Sequence, residues 1–354
     1  MTGPDDLSPD LSPAVKDSAP RGEGAEFDEL LSLIERARET AMRVVNRELI
    51  DLYWRIGEHI SAKTRTEGWG NAVITTFSKR VQQRFPGITG FSAVNIWRMR
   101  TFYETYVGNE FLSPLVKEVS WTNHTLILAG AKTDEAREFY LRLTAANAYT
   151  KRELERQIDS MLFERSMLSE ASTKDLVERR PALSALRDAY VLEFLDLPRT
   201  HHERDLRRGI VANLREFILE FGKDFAFIGE EYRVQVGNHD YFIDLLFLNR
   251  ALQCLVAIEL KVGAFKPEYV GQVDFYLEAL DRDVRKSSEN PSVGLILCTS
   301  KDEDVVEYAL SRSLSPAMVA QYQLALPDRA VLEHKLRELR DAVALGTEHD
   351  DVGE

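Results

Sequence analysis

The chain has 354 residues, 44% of them apolar and 29% charged, with a formal net charge of −13. That balance is typical of a folded protein of about two domains and excludes a largely disordered one. No stretch approaches the roughly 18 consecutive apolar residues of a membrane helix, and the acidic charge speaks against coating nucleic acid through bulk attraction, though not against local binding.

Residues 1–25 are rich in Pro, Asp, Ser and Gly and are expected to form a disordered tail without the basic flank and apolar core of a secretory signal. From Phe27 to Leu52 apolar residues recur at helical spacing, which predicts one long amphipathic helix continuing through Tyr53, Trp54, Ile56 and Ile60. Gly68-Trp69-Gly70 breaks it. Val73–Phe85 and Ser92–Tyr106 are expected as helices around the turn Pro86–Gly90, with Ser92 as N-cap. Between Ser78 and Arg100 stand Lys79, Arg80, Arg84, Arg98 and Arg100, and no acid. This pattern suggests a helix-turn-helix, with Asn95, Arg98 and Arg100 contacting DNA and Lys79 and Arg80 its backbone; the plainer reading is a helical bundle with a solvated basic face. Helices over 121–132, 134–145 and 151–167 complete an all-α N-terminal domain spanning 26–168, and the charged segment 169–204 is expected as a helical connector.

The period then changes. Asp205–Phe221 reads as an amphipathic helix ended by Gly222, followed by strands at Tyr232–Val236, Tyr241–Leu248 and Cys254–Val262, with a turn at Gly237–Asp240. A helix over 267–280 starts with proline; a strand over 293–298, a helix over 302–310, a short strand over 317–324 and a closing helix over 330–345 follow. Residues 205–345 are thus expected as a mixed α/β domain, and 346–354 as an acidic tail. Cys254 and Cys298 lie in strand-like runs without ligand spacing and read as buried thiols in a reducing, cytoplasmic compartment. His201-His202-Glu203 and His239-Asp240 lack the i,i+4 pair of a zinc protease and read as surface loops.

Three charges sit inside apolar strands: Asp244 in Tyr241–Phe247, and Glu259 and Lys261 in Val256–Lys261. Such charges are costly unless paired, hydrogen-bonded or bound to a metal. Strand alternation points Glu259 and Lys261 to one face, and a hairpin tip near 249–252 brings Asp244 abreast of residue 258 or 259. Asp244 and Glu259 can then share one hard cation through oxygens, with Lys261 reaching the same phosphate. Gln272 and Tyr276 share a helical face and can position water or stack on a base. Glu216 and Glu220 offer a third carboxylate, with Glu220 preferred because it lies nearer the strand entry.

Asp244, Glu259-Leu260-Lys261 and Gln272-Val-Asp-Phe-Tyr276 together resemble the PD-(D/E)XK nuclease superfamily, in its RecB-like branch. With Trp54-Arg-Ile-Gly57, Phe85-Pro-Gly-Ile-Thr-Gly-Phe-Ser92 and Met99-Arg-Thr-Phe-Tyr103, nearly the whole chain is similar to the YhcG-like bacterial family. Ile243 stands where the superfamily's name places a proline, a position that varies within it. The resemblance implies a restriction-endonuclease-like αβββαβ core after an all-α N-terminal domain. It also implies DNA cleavage with magnesium (manganese as substitute), with Asp244 and Glu259 as metal ligands, Lys261 as catalytic lysine, and Gln272 and Tyr276 in support. RNA as substrate and a homodimer are compatible with that chemistry. The other reading is a DNA-binding or complex-forming protein whose nuclease fold is structural.

Overall fold

Helical periodicity gives way to strand alternation near residue 222, and the computed structural model follows that change; it describes residues 23–108, 113–179, 181–311, 313 and 316–350. The chain divides into two units, residues 1–121 and 122–354. Residues 1–22 of the expected N-terminal tail, and 351–354 of the acidic tail, lie outside the described residues.

The first unit holds α1 (Glu23–Glu67), α2 (Asn71–Arg84), α3 (Ala93–Tyr106) and the single turn α4 (Ser113–Val116). Its core gathers Tyr53, Ile60, Ile74, Phe91, Ile96 and Met99. The second half of α1 lies directly on α3: a Cβ on Gly57 would stand 2.1 Å from the Met99 carbonyl oxygen, so only glycine permits the approach. Ser92 caps α3 as expected, its hydroxyl accepting from the Asn95 amide at 3.2 Å.

The second unit continues with α5 (Trp121–Gly130), α6 (Asp134–Asn147), α7 (Lys151–Asp159) and α8 (Leu162–Arg179). The single helix expected over 151–167 is broken at Met161, which takes φ 53°, a left-handed conformation that no α-helix propagates. There follow β1 (Ala189–Val191), α9 (Glu203–Ala212), α10 (Leu214–Phe221), β2 (Phe225–Val236), β3 (His239–Asn249), β4 (Cys254–Leu260), α11 (Glu268–Asp283), β5 (Asn290–Cys298), α12 (Glu303–Leu310), β6 (Ala317–Gln323) and α13 (Arg329–Asp350). The six strands form one sheet in the order β1-β6-β5-β4-β3-β2. β1, β6, β5 and β4 run parallel, and β3 and β2 complete it as an antiparallel hairpin.

Every residue of β4 is buried, as are the last seven of β5, because helices cover both faces of the sheet's centre. On one face Leu206 and Ile210 of α9 and Phe217 and Phe221 of α10 meet Val256, Ile258, Leu295 and Met318. On the other, Val273, Tyr276, Leu277 and Leu280 of α11 meet Leu246, Ala257, Ile296 and Val319. Gly294 lets α11 lie flush on β5: a Cβ there would meet Val273 Cγ1 at 2.3 Å.

The segment expected as a helical connector supplies an edge strand, β1, whose three residues are too few to show an alternation. The expected helix over 205–221 is two helices, parted at Asn213 (φ −116°, ψ 40°). β2 starts at Phe225 rather than Tyr232, with a bulge at Ile228 between Phe227 and Gly229, after which Gly229 and Glu230 pair with Leu246 and Leu245. His201 is buried rather than on a surface loop, its ring nitrogens 3.0 Å from the Pro198 carbonyl and 2.8 Å from the Tyr322 hydroxyl. Both cysteines are buried, and burial pushes each thiol up to about 11. No helix among the described residues is long and apolar enough to cross a membrane.

Candidate functional site

The β3–β4 register pairs Leu245 with Ile258, so the next step up the ladder sets Asp244 opposite Glu259. Ile258 and Leu260 enter the core under α9 and α10, leaving Glu259 on the face covered by α11. There the Glu259 Oε1 atom accepts from the Lys261 ammonium at 2.7 Å and from the Gln272 amide at 2.7 Å. The same amide donates to the Tyr276 hydroxyl at 2.9 Å, which fixes its orientation. The Lys261 ammonium also lies 5.1 Å from the centre of the Tyr269 ring. Lys261 and Gln272, both expected from sequence, thus meet on one oxygen of Glu259, and Tyr276 joins them through the Gln272 amide.

The other oxygen, Glu259 Oε2, is buried with no hydrogen-bond partner among the described residues. Burial first, then the neighbouring Asp244 carboxylate, pushes the Glu259 carboxyl up to about 7 despite the lysine beside it. For Lys261, burial disfavours the charge, but Glu259, Glu203 and Asp244 outweigh it and hold the ammonium above its ordinary value. The Lys261 side chain is therefore held in its charged form.

Asp244 is held from two sides: the Leu260 amide donates to Oδ2 at 2.9 Å, and the Arg207 guanidinium to Oδ1 at 2.9 Å. Arg207, on α9, also binds Glu231 at 2.7 Å and approaches Glu230 at 4.0 Å. At the start of the same helix, Glu203 accepts from the Val262 amide at 3.3 Å. Neither Arg207 nor Glu203 stands out in the sequence as part of the site. The signal for Arg207 is the cluster Arg204, Arg207, Arg208 and Arg215, and Glu203 hides in a His-His-Glu run.

Glu220 does not join them. It is fully buried, taking Arg165 at 2.7 Å, Arg156 at 3.2 Å and the Val191 amide at 2.9 Å. Burial opposes its charge, but Arg165, Arg187 and Arg156 prevail and lower its pKa. Val191 belongs to β1, three strands from β4 and so roughly 14 Å away at ordinary strand spacing. The acid expected as a third ligand is an anchor for an edge strand.

Among the described residues no three His, Cys, Asp or Glu side chains converge to hold a metal. The orphaned Glu259 oxygen, with Asp244 opposite, fits a two-carboxylate site, the mode of a hard cation that takes its remaining ligands from water and substrate.

In the first unit, Lys79, Arg80 and Arg98 are exposed. Asn95 and Arg100, expected to reach DNA, are engaged internally. Asn95 donates to the Gly90 carbonyl and accepts from the Trp121 indole at 2.9 Å. Arg100 pairs with Glu104 at 2.8 Å and lies over Trp97. The Trp121-Thr-Asn-His124 run, without evident chemistry in sequence, is structural. Trp121 packs on Tyr53 and Phe102, and Asn123 donates to the Tyr149 carbonyl at 2.8 Å.

A family model described as the YhcG PDDEXK nuclease domain matches residues 183–337, and one described as the DUF1016 N-terminal domain matches residues 29–165. The chain is 31% identical over 347 residues to "Putative nuclease YhcG" of Escherichia coli (strain K12), covering 87% of this chain and 92% of that protein. Among solved structures it resembles a repair endonuclease from Pyrococcus abyssi at 18% identity, over 36% of this chain and 49% of that one, with a TM-score of 0.26. A likeness of that size carries no argument.

Proposed function

The chain belongs to the YhcG family of PDDEXK nucleases, and from that membership we propose that it hydrolyses DNA phosphodiester bonds with magnesium held by Asp244 and Glu259. The observation that carries this reading is the Glu259 carboxylate, with one oxygen gripped by Lys261 and Gln272 and the other buried without a donor. A bound Mg²⁺ would lower the pKa of a water and polarise the phosphoryl oxygen.

The protein's own groups do the rest. Lys261, kept charged by three carboxylates, faces the negative charge that develops on the phosphorane. The Gln272 amide, fixed between Glu259 and Tyr276, leaves the tyrosine O–H free to donate toward substrate. The Leu260 amide fixes the Asp244 carboxylate against rotation. Lys79, Arg80 and Arg98 of the first unit are proposed to touch the DNA backbone, where cations position without reading sequence. The two buried thiols suit a cytoplasmic setting.

Purified full-length protein is expected to cut at least one of linear, circular or branched DNA when Mg²⁺ is present and none when it is chelated. Absence of cleavage on every form, with salt-dependent DNA retention unchanged by Asp244→Ala, would favour the non-catalytic binding protein. Cleavage of RNA alone would move the substrate assignment and leave the chemistry standing.

Arg207 occupies the Asp244 oxygen that a cation would approach. Removing a fixed positive charge beside an ion site is worth roughly 1–3 kcal/mol at effective dielectric constants between water and protein. Arg207→Gln is therefore expected to tighten Mg²⁺ binding about tenfold in calorimetry. An unchanged or weakened affinity would mean that Arg207 orders Asp244 for the ion rather than competing with it.

A further inference from the structure

The first half of α1 presents an apolar stripe that its own unit leaves uncovered. Phe27, Leu30, Leu31, Ile34, Val44 and Val45 are each between 53% and 67% exposed, with exposed Ala37 and Ala41 between them. Their spacing, three or four residues except at the adjacent pairs Leu30/Leu31 and Val44/Val45, keeps them on one side of the helix for about 27 Å. Beyond Leu49 the same helix is buried through Ile50, Tyr53 and Ile60. A contiguous apolar strip of this length is rare on a chain that works alone.

The charges along the strip are segregated. Residues 23–35 carry five acids and no base, whereas 36–47 carry four arginines and one glutamate. A second copy laid parallel would set acid beside acid and arginine beside arginine. Laid antiparallel, the acidic segment of each copy meets the arginine segment of the other. The strip offers on the order of 600 Å² of apolar surface per copy before flanking residues are counted, close to the roughly 800 Å² per partner of a standard interface. An anionic membrane or a nucleic acid would be repelled by residues 23–35, so neither matches the whole strip.

We propose that the first half of α1 is the interface between two copies of this chain, paired antiparallel over residues 27–45 and centred near Arg36.

Light scattering on the full-length chain across a dilution series is expected to give twice the 40.4 kDa chain mass, falling to one chain mass in the Leu30→Glu, Val44→Glu double variant with unchanged circular dichroism. For orientation, Leu30→Cys protein mixed with Ala41→Cys protein is expected to form a disulfide-linked dimer under mild oxidation, and Leu30→Cys alone is not. The two natural thiols are buried and give little background. A single-chain mass at micromolar concentration would overturn the proposal, as would a dimer that survives the double variant. Self-linking of Leu30→Cys without the mixed product would overturn the antiparallel arrangement.

Discussion

Glu259→Gln is expected to slow DNA cleavage by about 10³-fold or more and, in the same protein, to raise the stability of the metal-free fold above pH 7. The kinetic loss follows because Glu259 anchors Lys261 and Gln272 and, in the proposed function, would offer its other oxygen to the cation. The gain in stability follows from the burial that makes the carboxyl useful. Its pKa in the fold is about 7, against an ordinary value of 4.5. A carboxyl whose pKa is raised by folding favours the folded state fully below its ordinary pKa, and loses that contribution as pH climbs from about 4.5 to 7. Above this window the buried charge costs on the order of 3 kcal/mol, which a neutral glutamine avoids. Urea unfolding in chelator at pH 5 and pH 8 checks it: the natural chain should lose stability between the two, and the variant should lose less. A variant that cleaves normally, or is weaker than the natural chain at pH 8, would refute the assignment.

The second large effect is structural. Glu220→Ala is expected to cost about 3–5 kcal/mol, because it strands the guanidiniums of Arg165 and Arg156 in a buried position. It also removes the acceptor of the Val191 amide, loosening the edge strand β1. In a unit of this size the melting temperature should fall by roughly 10 °C. At low temperature the folded fraction should still cleave DNA, since Glu220 touches none of the residues around Glu259. Lost cleavage with an unchanged melting temperature would restore Glu220 as a metal ligand.

The contrast between these two glutamates shows what was legible in the sequence. Glu259 could be read because strand alternation is strict and a hairpin of known tip fixes what stands opposite; the observed register lies within the expected range. The Gln272–Tyr276 pair could be read because helical spacing is equally strict. Glu220 is misassigned from sequence as a third ligand, because its surroundings depend on the helix break at Asn213 and on β1, a strand too short to leave a pattern. Glu203 and Arg207 were hidden for the same reason: both lie on α9, whose approach to β3 and β4 is a tertiary fact. Asn95 shows the limit of reading a polar residue on a helix, since hydrogen bonds to Gly90 and Trp121 consume its amide. His201 found Tyr322, 121 residues away, which no local pattern announces.

Gly294 carries no functional group and does not touch the carboxylates, yet it sets how closely α11 can approach the sheet. Gln272 and Tyr276 ride on that helix, so the spacing between amide and carboxylate is governed by the thickness of a backbone one strand away. A methyl group at position 294 would act as a shim, lifting the helix and opening the 2.7 Å contact from Gln272 to Glu259 while every reacting atom stays in place. In this fold the fine adjustment of the chemistry rests on a position that any survey of reactive side chains would pass over.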